Sequence, residues 1–375
     1  MEYVQERITT LHDLGDAGLP DGLGDDPVAE TAVVVPMTDR EHESPAAARV
    51  LGELEALDPA AVVVPVRASS ERIGPFREWL ESFALPIEVL WCNAPTFEDG
   101  LAAVGLEGET GKGRDVWLAL GPAAEAGDYV VVHDADARSY GADHVRRLLA
   151  PLTMDFAFSK GYYARVERGR LYGRLFRLFY EPLVRTLAAR HDEPILEYCG
   201  AFRYALAGEF AMTAELAREL RPPRTWGLEV GTLGDAFEHA GFEGTAQVDL
   251  GVHEHDHRAV AGEAGLEGMS HTVGAELLRV LEAGGVDPDY ETLPARYRET
   301  GRALISQYRA DAAFNGLAYD PEGERDQLDR YAEAIAPPGP DRRLPRWRDA
   351  PIDPEFVRER ARPWLEPRIG SAGGD

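Results

Sequence analysis

Four short runs rich in β-branched residues mark the first third of the chain: TAVVVP at 31–36, AAVVVPV at 60–66, PIEVLW at 86–91 and DYVVVHD at 128–134. They are continuously apolar rather than alternating, so both faces of each strand are predicted to be covered. Between them, SPAAARVLGELEAL and SERIGPFREWLESF carry apolar residues at helical spacing. Strands of this kind alternating with helices predict a parallel sheet between two helix layers. Ligands of such sheets collect beyond the carboxyl ends of the strands.

After residue 150 the pattern changes to a mixed α+β layout. MDFAFSKGYYARV reads as a strand leading into an arginine-rich helix from about 170 to 190, followed by a strand near GAFRYAL. WGLEVGTLGDAFEHAG predicts a helix, EGTAQVDLGV a strand, and MSHTVGAELLRVLEAG and YRETGRALISQYRADAAF two further helices. The proline-rich APPGPDRRLPRWRDAPIDP either wraps the surface or moves. DLGDAGLPDGLGDDPVA, near the start, reads as a leader or loop.

Composition narrows the classes. The 375 residues suffice for one large core or a core with an appendage. The 66 acidic residues against 39 basic ones give a net charge of -27, which would repel nucleic acid and anionic membrane surfaces. Such acidity reads as adaptation to a salt-rich, halophilic setting rather than as function. Cys92 and Cys199 are too few for a disulfide framework or a zinc cage. The start lacks a secretory pattern and no stretch approaches a membrane span, so a cytoplasmic protein is expected.

Candidate chemistry is concentrated in a few places. Of the 39 basic residues only two are lysine, Lys112 in GKGRDVW and Lys160 in FSKGYYA, each beside a glycine. A compact ammonium beside a glycine can meet a phosphate at close quarters, where a planar guanidinium would be bulkier. Asp134 and Asp136 follow the fourth β-branched run; two carboxylates one residue apart at a strand end can share a divalent cation, or one can cap a helix. GVHEHDHR at 251–258 holds histidines at alternate positions, suited to completing a metal site or to an exposed polar loop. Segment 160–185 inverts the local charge with Lys160, Arg165, Arg168, Arg170, Arg174, Arg177 and Arg185, which suits an anionic substrate or pairing with surface acids elsewhere.

Taken together, GKG before a helix, D-A-D after a strand, SKGYY, Gly173-Arg174, ALAGEF at 205–210, WGLEVG at 226–231 and DLGVHEH at 249–255 resemble the glucosyl-3-phosphoglycerate synthase and mannosylglycerate synthase-like retaining glycosyltransferases. The resemblance runs from about Ala32 to Ser270. It implies an α/β GT-A fold, with a Rossmann-like, mostly parallel central sheet, a mixed α+β acceptor half and a helical C-terminal extension. The expected division is a flexible leader at 1–28, a nucleotide-sugar-binding half at 29–150, an acceptor half at 151–262 and a helical extension with a proline-rich tail at 263–375.

The same resemblance assigns roles. Pro36, Met37 and Thr38 would meet the nucleobase, with Ser69 in the turn after the second strand. Lys112 would lie on the nucleotide phosphates, Asp134 on ribose and metal, and Asp136 and His255 on the metal, which is Mg²⁺ or Mn²⁺. Leu206, Gly208 and Glu209 would line the sugar, with Glu229 beside it as a catalytic orienting acid together with Asp136. Gly173, Arg174, Lys160 and His257 would receive the acceptor, although Lys160 could equally neutralise a carboxylate behind the site.

The reaction implied is transfer of a hexose from a UDP or GDP sugar to a small anionic acceptor such as 3-phosphoglycerate or glycerate, with configuration retained. Alternatives are a lipid-phosphate or glycan acceptor, and a sugar-nucleotide-binding protein without transferase activity. The helical C-terminal third offers a surface for a homodimer. Thr38, Asp39, Arg40 and Glu41 stand where relatives carry Asn-Glu-Glu, and Phe176 and Arg177 stand where they carry a threonine and an acid.

Overall fold

The computed structural model describes residues 5–13, 27–254 and 263–364. Strands β1 (Thr9–Leu11), β2 (Thr31–Val34), β3 (Met37–Thr38), β4 (Ala61–Arg67), β5 (Ile87–Trp91), β6 (Tyr129–Val132), β7 (Phe158–Ala164), β10 (Phe210–Thr213) and β11 (Thr245–Val252) form one sheet, and β8 (Val166–Glu167) with β9 (Arg170–Leu171) forms a separate hairpin. The sheet order is β1-β11-β7-β10-β6-β2-β4-β3, with β5 also on β4. All pairings in it are parallel except those of β10, which runs antiparallel to β6 and β7. Every residue of β2 is buried, as its unbroken apolar run requires.

Helices cover both faces: α1 (Pro45–Leu57), α2 (Ile73–Leu80), α3 (Pro95–Ala103), α4 (Lys112–Ala126), α5 (Asp143–Leu149), α6 (Glu181–Ala188), α7 (Pro194–Gly200), α8 (Ala214–Ala217) and α9 (Leu228–His239). The C-terminal helices are α10 (Glu263–Ala283), α11 (Leu293–Phe314), α12 (Pro321–Tyr331) and α13 (Pro354–Ala361). Local chemistry sets several of their starts. Ser44 caps α1 by accepting from the Ala47 amide at 3.1 Å, with Pro45 in the first turn.

Three expectations are corrected. Thr9–Leu11, inside the expected leader, is a strand parallel to β11, fixed partly by the Gln247 amide donating to Thr10 Oγ1 at 2.9 Å; most of the remaining leader lies outside the described residues. The arginine-rich helix does not begin at 170. Arg168 and Gly169, both at positive φ, turn the chain into β9, and helical backbone starts only at Arg174, passing through a wide turn at Phe176–Tyr180 before α6. GAFRYAL ends α7 at Gly200 and continues as turns, and the strand is the next segment, FAMT, which has an antiparallel partner on each side.

The proline-rich tail wraps the surface. Trp347 stacks on Trp117 at 4.8 Å between ring centroids, and its indole donates to the Trp117 carbonyl at 2.6 Å. One buried core runs from the sheet into the C-terminal helices, including Leu277, Tyr297, Leu328 and Tyr331. The carboxyl ends of β2 and β6, the start of α4, the hairpin and the start of α9 all face a single cleft.

Candidate active site

The cleft has a volume of about 610 Å³. Its floor is set by α4 meeting the 223–225 segment: the Gly113 amide donates to the Thr225 carbonyl at 3.2 Å and the Arg114 amide to the Arg224 carbonyl at 2.9 Å. A Cβ on Gly113 would lie 1.9 Å from the Pro223 carbonyl oxygen, so only glycine allows this approach. The result is that Lys112 projects from the first turn of α4 between two acids. Its Nζ lies 2.6 Å from Asp134 Oδ1 and 2.8 Å from Glu229 Oε1.

Asp134 sits just past β6 and Glu229 in the first turn of α9, and this ammonium joins them. Burial opposes the Lys112 charge, but Asp134 and Glu229 outweigh it and raise its pKa. Burial likewise opposes ionisation of Asp134, and Lys112 reverses that, lowering its pKa. The loop 206–209 closes over Asp134, where a Cβ on Gly208 would stand 2.4 Å from Asp134 Oδ2.

Asp136 differs from Asp134. Burial, then the charges of Asp134 and Glu209, push its pKa up to about 8, and its Oδ1 is buried without a hydrogen-bond partner. A buried carboxylate oxygen without a hydrogen-bond partner, beside a second carboxylate, is a donor that a cation would satisfy. The donor set, two carboxylates at a strand end, suits a hard divalent ion. Among the described residues no three His, Cys, Asp or Glu side chains converge on one point. His255 and His257 lie outside the described residues. His253, in view, is instead buried and stacked on Tyr163 at 4.1 Å, with Nε2 3.7 Å from Glu209 Oε1.

Pro36, Met37, Thr38, Gly173, Arg174, Leu206 and Gly208 also line the cleft. The amide and hydroxyl of Thr38 both donate to Glu41 Oε2, at 2.6 and 2.7 Å, which fixes the turn after β3. Three expected residues are not among the lining ones. Ser69 is exposed outside the cleft. Glu209 is buried behind it, its pKa pushed up to about 7 by burial and then by Asp134. Lys160 is buried too: its ammonium donates to the Ala207 carbonyl at 2.5 Å and lies 5.1 Å from the Phe210 ring centroid. Burial lowers its pKa to about 8. In this position it holds the 206–209 loop from behind and does not line the cleft.

The cleft also carries arginines. Arg165, Arg170 and Arg174 line the cleft, from just past β7, from β9 and from the start of the helix. Arg67 and Asp115, also lining, form an ion pair; burial pushes Asp115 up to about 6 despite that partner. Trp226, 45% exposed, stands at the rim beside Met269 and Val273. Of these, Arg165 and Arg170 fell within the basic segment read from sequence and Trp226 within WGLEVG, but nothing in the sequence pointed to Arg67 pairing with Asp115.

No family model matches the chain. It is 35% identical over 364 residues to the glucosyl-3-phosphoglycerate synthase of Methanococcoides burtonii, a match covering 92% of this chain and 90% of that protein. The chain belongs to the glucosyl-3-phosphoglycerate synthase family. The family's enzyme from Persephonella marina is 33% identical over 321 residues, covering 81% of this chain and 79% of that protein. Among solved structures, glucosyl-3-phosphoglycerate synthase from Mycobacterium tuberculosis, in complex with Mn²⁺, UDP-glucose and phosphoglyceric acid, has a TM-score of 0.56 at 26% identity, covering 75% of this chain and 89% of that one. Its complex with Mg²⁺ and UDP has a TM-score of 0.55 at 26% identity, covering 75% and 88%. The fold is GT-A, and the chain is a hexosyltransferase of this family.

Proposed function

We propose that the cleft transfers a glucosyl group from UDP-glucose to 3-phosphoglycerate, with anomeric configuration retained and with bound Mg²⁺ or Mn²⁺. The observation that carries this reading is Lys112, held between Asp134 and Glu229 at 2.6 and 2.8 Å in a cleft that Arg165, Arg170 and Arg174 also line. An ammonium in that place supports the charge that grows on a departing pyrophosphate more in the transition state than in the ground state. The relatives in complex with UDP-glucose, phosphoglyceric acid and glycerol 3-phosphate support the choice of donor and acceptor.

Each group then has a task. Pro36, Met37 and Thr38 receive the base; Leu206 and Gly208 line the sugar; Glu229 orients its hydroxyls and screens positive charge developing at the anomeric carbon. Gly173 and Arg174 hold the acceptor phosphate, the guanidinium offering a planar fork to it. The bond from the anomeric carbon to the pyrophosphate oxygen breaks while a bond to the acceptor oxygen forms on the same face, and the acceptor's proton passes to the departing phosphate. Asp134, Asp136 and His255 would hold the metal, which when bound supplies charge that neutralises the pyrophosphate. Lys160 steadies the 206–209 loop through Ala207.

Three finer readings accompany this one. Uracil is the base preferred over guanine, a salt-rich cytoplasm is the setting to which the acidic surface is suited, and a homodimer forms through the C-terminal helices. No helix of the described residues is long and apolar enough to cross a membrane. The test is a matrix of UDP-glucose, GDP-glucose and GDP-mannose against 3-phosphoglycerate, glycerate and glycerol 3-phosphate, with Mn²⁺, Mg²⁺ or chelator. The expected product is an α-glucoside of 3-phosphoglycerate formed from UDP-glucose and lost with chelator. Donor binding without transfer to any of the three acceptors would overturn the reading.

A further inference from the structure

Arg174 does not stand alone at the acceptor wall. Three residues later Arg177, with its side chain mostly buried, turns away from the cleft, and both of its terminal nitrogens donate to Glu324 of α12, at 2.9 and 2.7 Å. The third guanidinium nitrogen, Nε, donates to the Tyr172 carbonyl at 2.9 Å. Glu324 is 3% exposed; it also accepts from the Tyr319 hydroxyl at 2.6 Å and lies 3.8 Å from Arg174 Nε. The guanidinium of Arg177 is further seated 4.8 Å from the Tyr308 ring centroid. Nearby, the Ala318 amide donates to the Gly169 carbonyl at 2.8 Å, a second tie between the C-terminal helices and the hairpin.

These contacts form a chain of fixed groups. Glu324 saturates one edge of Arg177, Arg177 holds the carbonyl of Tyr172, and Tyr172, Gly173 and Arg174 are consecutive residues lining the cleft. Gly173 sits at φ +73°, a conformation the turn must keep if its backbone and Arg174 are to face the same anion. A bidentate arginine–carboxylate pair is planar and directional, so it transmits position as well as charge.

We propose that Glu324 is a positioning residue for the acceptor: through Arg177 it braces the Tyr172–Arg174 turn, making the C-terminal helices part of the acceptor subsite. The inference rests on the assignment of Gly173 and Arg174 to the acceptor phosphate. On this reading the Arg177 cation is spent on a carboxylate from α12 instead of facing the ligand.

The contrary effect is electrostatic. Removing the Glu324 charge would leave an uncompensated cation near Arg174 and strengthen anion attraction. The two effects have opposite signs on acceptor affinity, which makes the test decisive. In Glu324→Gln the brace predicts an acceptor KM raised about tenfold, roughly the loss of one well-made charged contact. The KM for UDP-glucose and kcat at saturating acceptor stay within about twofold of the unaltered protein. Arg177→Lys, which keeps the charge and loses the fork, moves acceptor KM in the same direction.

Since breaking a buried pair can unfold a protein, Tyr319→Phe provides a milder variant, with a rise in acceptor KM of about two- to threefold expected from one lost hydrogen bond. In the Arg174→Ala background Glu324→Gln adds little, because both act on one turn. An unchanged or lowered acceptor KM in Glu324→Gln and Arg177→Lys, or in Tyr319→Phe if those two do not fold, overturns the brace. Should Arg174→Ala itself leave acceptor KM unchanged, the acceptor assignment falls and the brace with it. If Arg174→Ala raises KM and the brace variants do not, only the brace falls.

Discussion

Lys112 and Asp136 occupy opposite electrostatic situations within one cleft. Lys112 is over-satisfied, an ammonium with two carboxylates at 2.6 and 2.8 Å. Replacing it by methionine keeps the stem but leaves Asp134 and Glu229 to repel each other, and removes the cation from the leaving group. The expected loss in kcat/KM is about 10²-fold or more, the scale seen when one transition-state charge contact is deleted. Steady-state kinetics with donor and acceptor both varied would check it, and a loss confined to acceptor KM would contradict the donor-side role. Asp136 is under-satisfied, with a buried oxygen lacking a partner. Asp136→Asn should therefore raise the melting temperature in chelator while abolishing turnover with Mn²⁺, a stability gain at a functional position. Thermal unfolding with chelator that gives a lower Tm for the variant would mean the carboxylate is not a burden in the metal-free protein.

At the scale of elements, the joint between α9 and α10 carries a second buried acid. Glu276 lies against Gly227 and Gly231 at the start of α9, 3.3 Å from Arg279 and 3.8 Å from Arg343, with Asp235 and Asp341 adding negative charge nearby. Burial, opposed by those arginines, pushes its pKa up to about 7 from an ordinary 4.5. Below about pH 4.5 both folded and unfolded chains hold the proton; between that pH and 7 the unfolded chain releases it first, so stability falls as pH rises through the window. The cost is about 3 kcal/mol at most once both states are ionised. Glu276→Gln should flatten that part of the Tm-versus-pH curve, and parallel curves for the two proteins would exclude Glu276 as its origin.

What could be read of these elements in the sequence follows range of interaction. The valine runs of β2, β4 and β6 announce their own burial, and the D-A-D after β6 and the GKG opening α4 are local chemistry, so the sheet was legible and so were the two segments that bring Asp134 and Lys112 together in one cleft. The β8–β9 hairpin was not, because its arginines mimic a helix and the turn at Arg168 and Gly169 is decided by backbone geometry. Nor was the partnership of Arg177 with Glu324, 147 residues apart, or the burial of Lys160 behind Ala207: each depends on which element happens to pass behind another.

For the molecule as a whole, the net charge of -27 sets a field that opposes the substrates of the proposed reaction, since a sugar nucleotide and a small anionic acceptor are both negatively charged. The cleft answers it locally with Arg165, Arg170 and Arg174. The two fields act over different distances, and salt separates them. At 0.01 M the screening length is about 30 Å, so the whole acidic surface is felt at the cleft mouth; at 0.1 M it is about 10 Å, and at 1 M about 3 Å. Adding salt from the lowest value first removes the long-range repulsion and lowers the acceptor KM. Further salt weakens attraction to the arginines themselves and raises it again. The acceptor KM should thus pass through a minimum between 0.01 and 1 M on the order of the 10 Å screening length, while the melting temperature rises steadily as self-repulsion is relieved. Initial rates across a NaCl series, with Tm measured in the same buffers, provide the check. A KM that climbs from the lowest salt onward would mean that the arginine wall, and not the surface charge, governs encounter at every ionic strength.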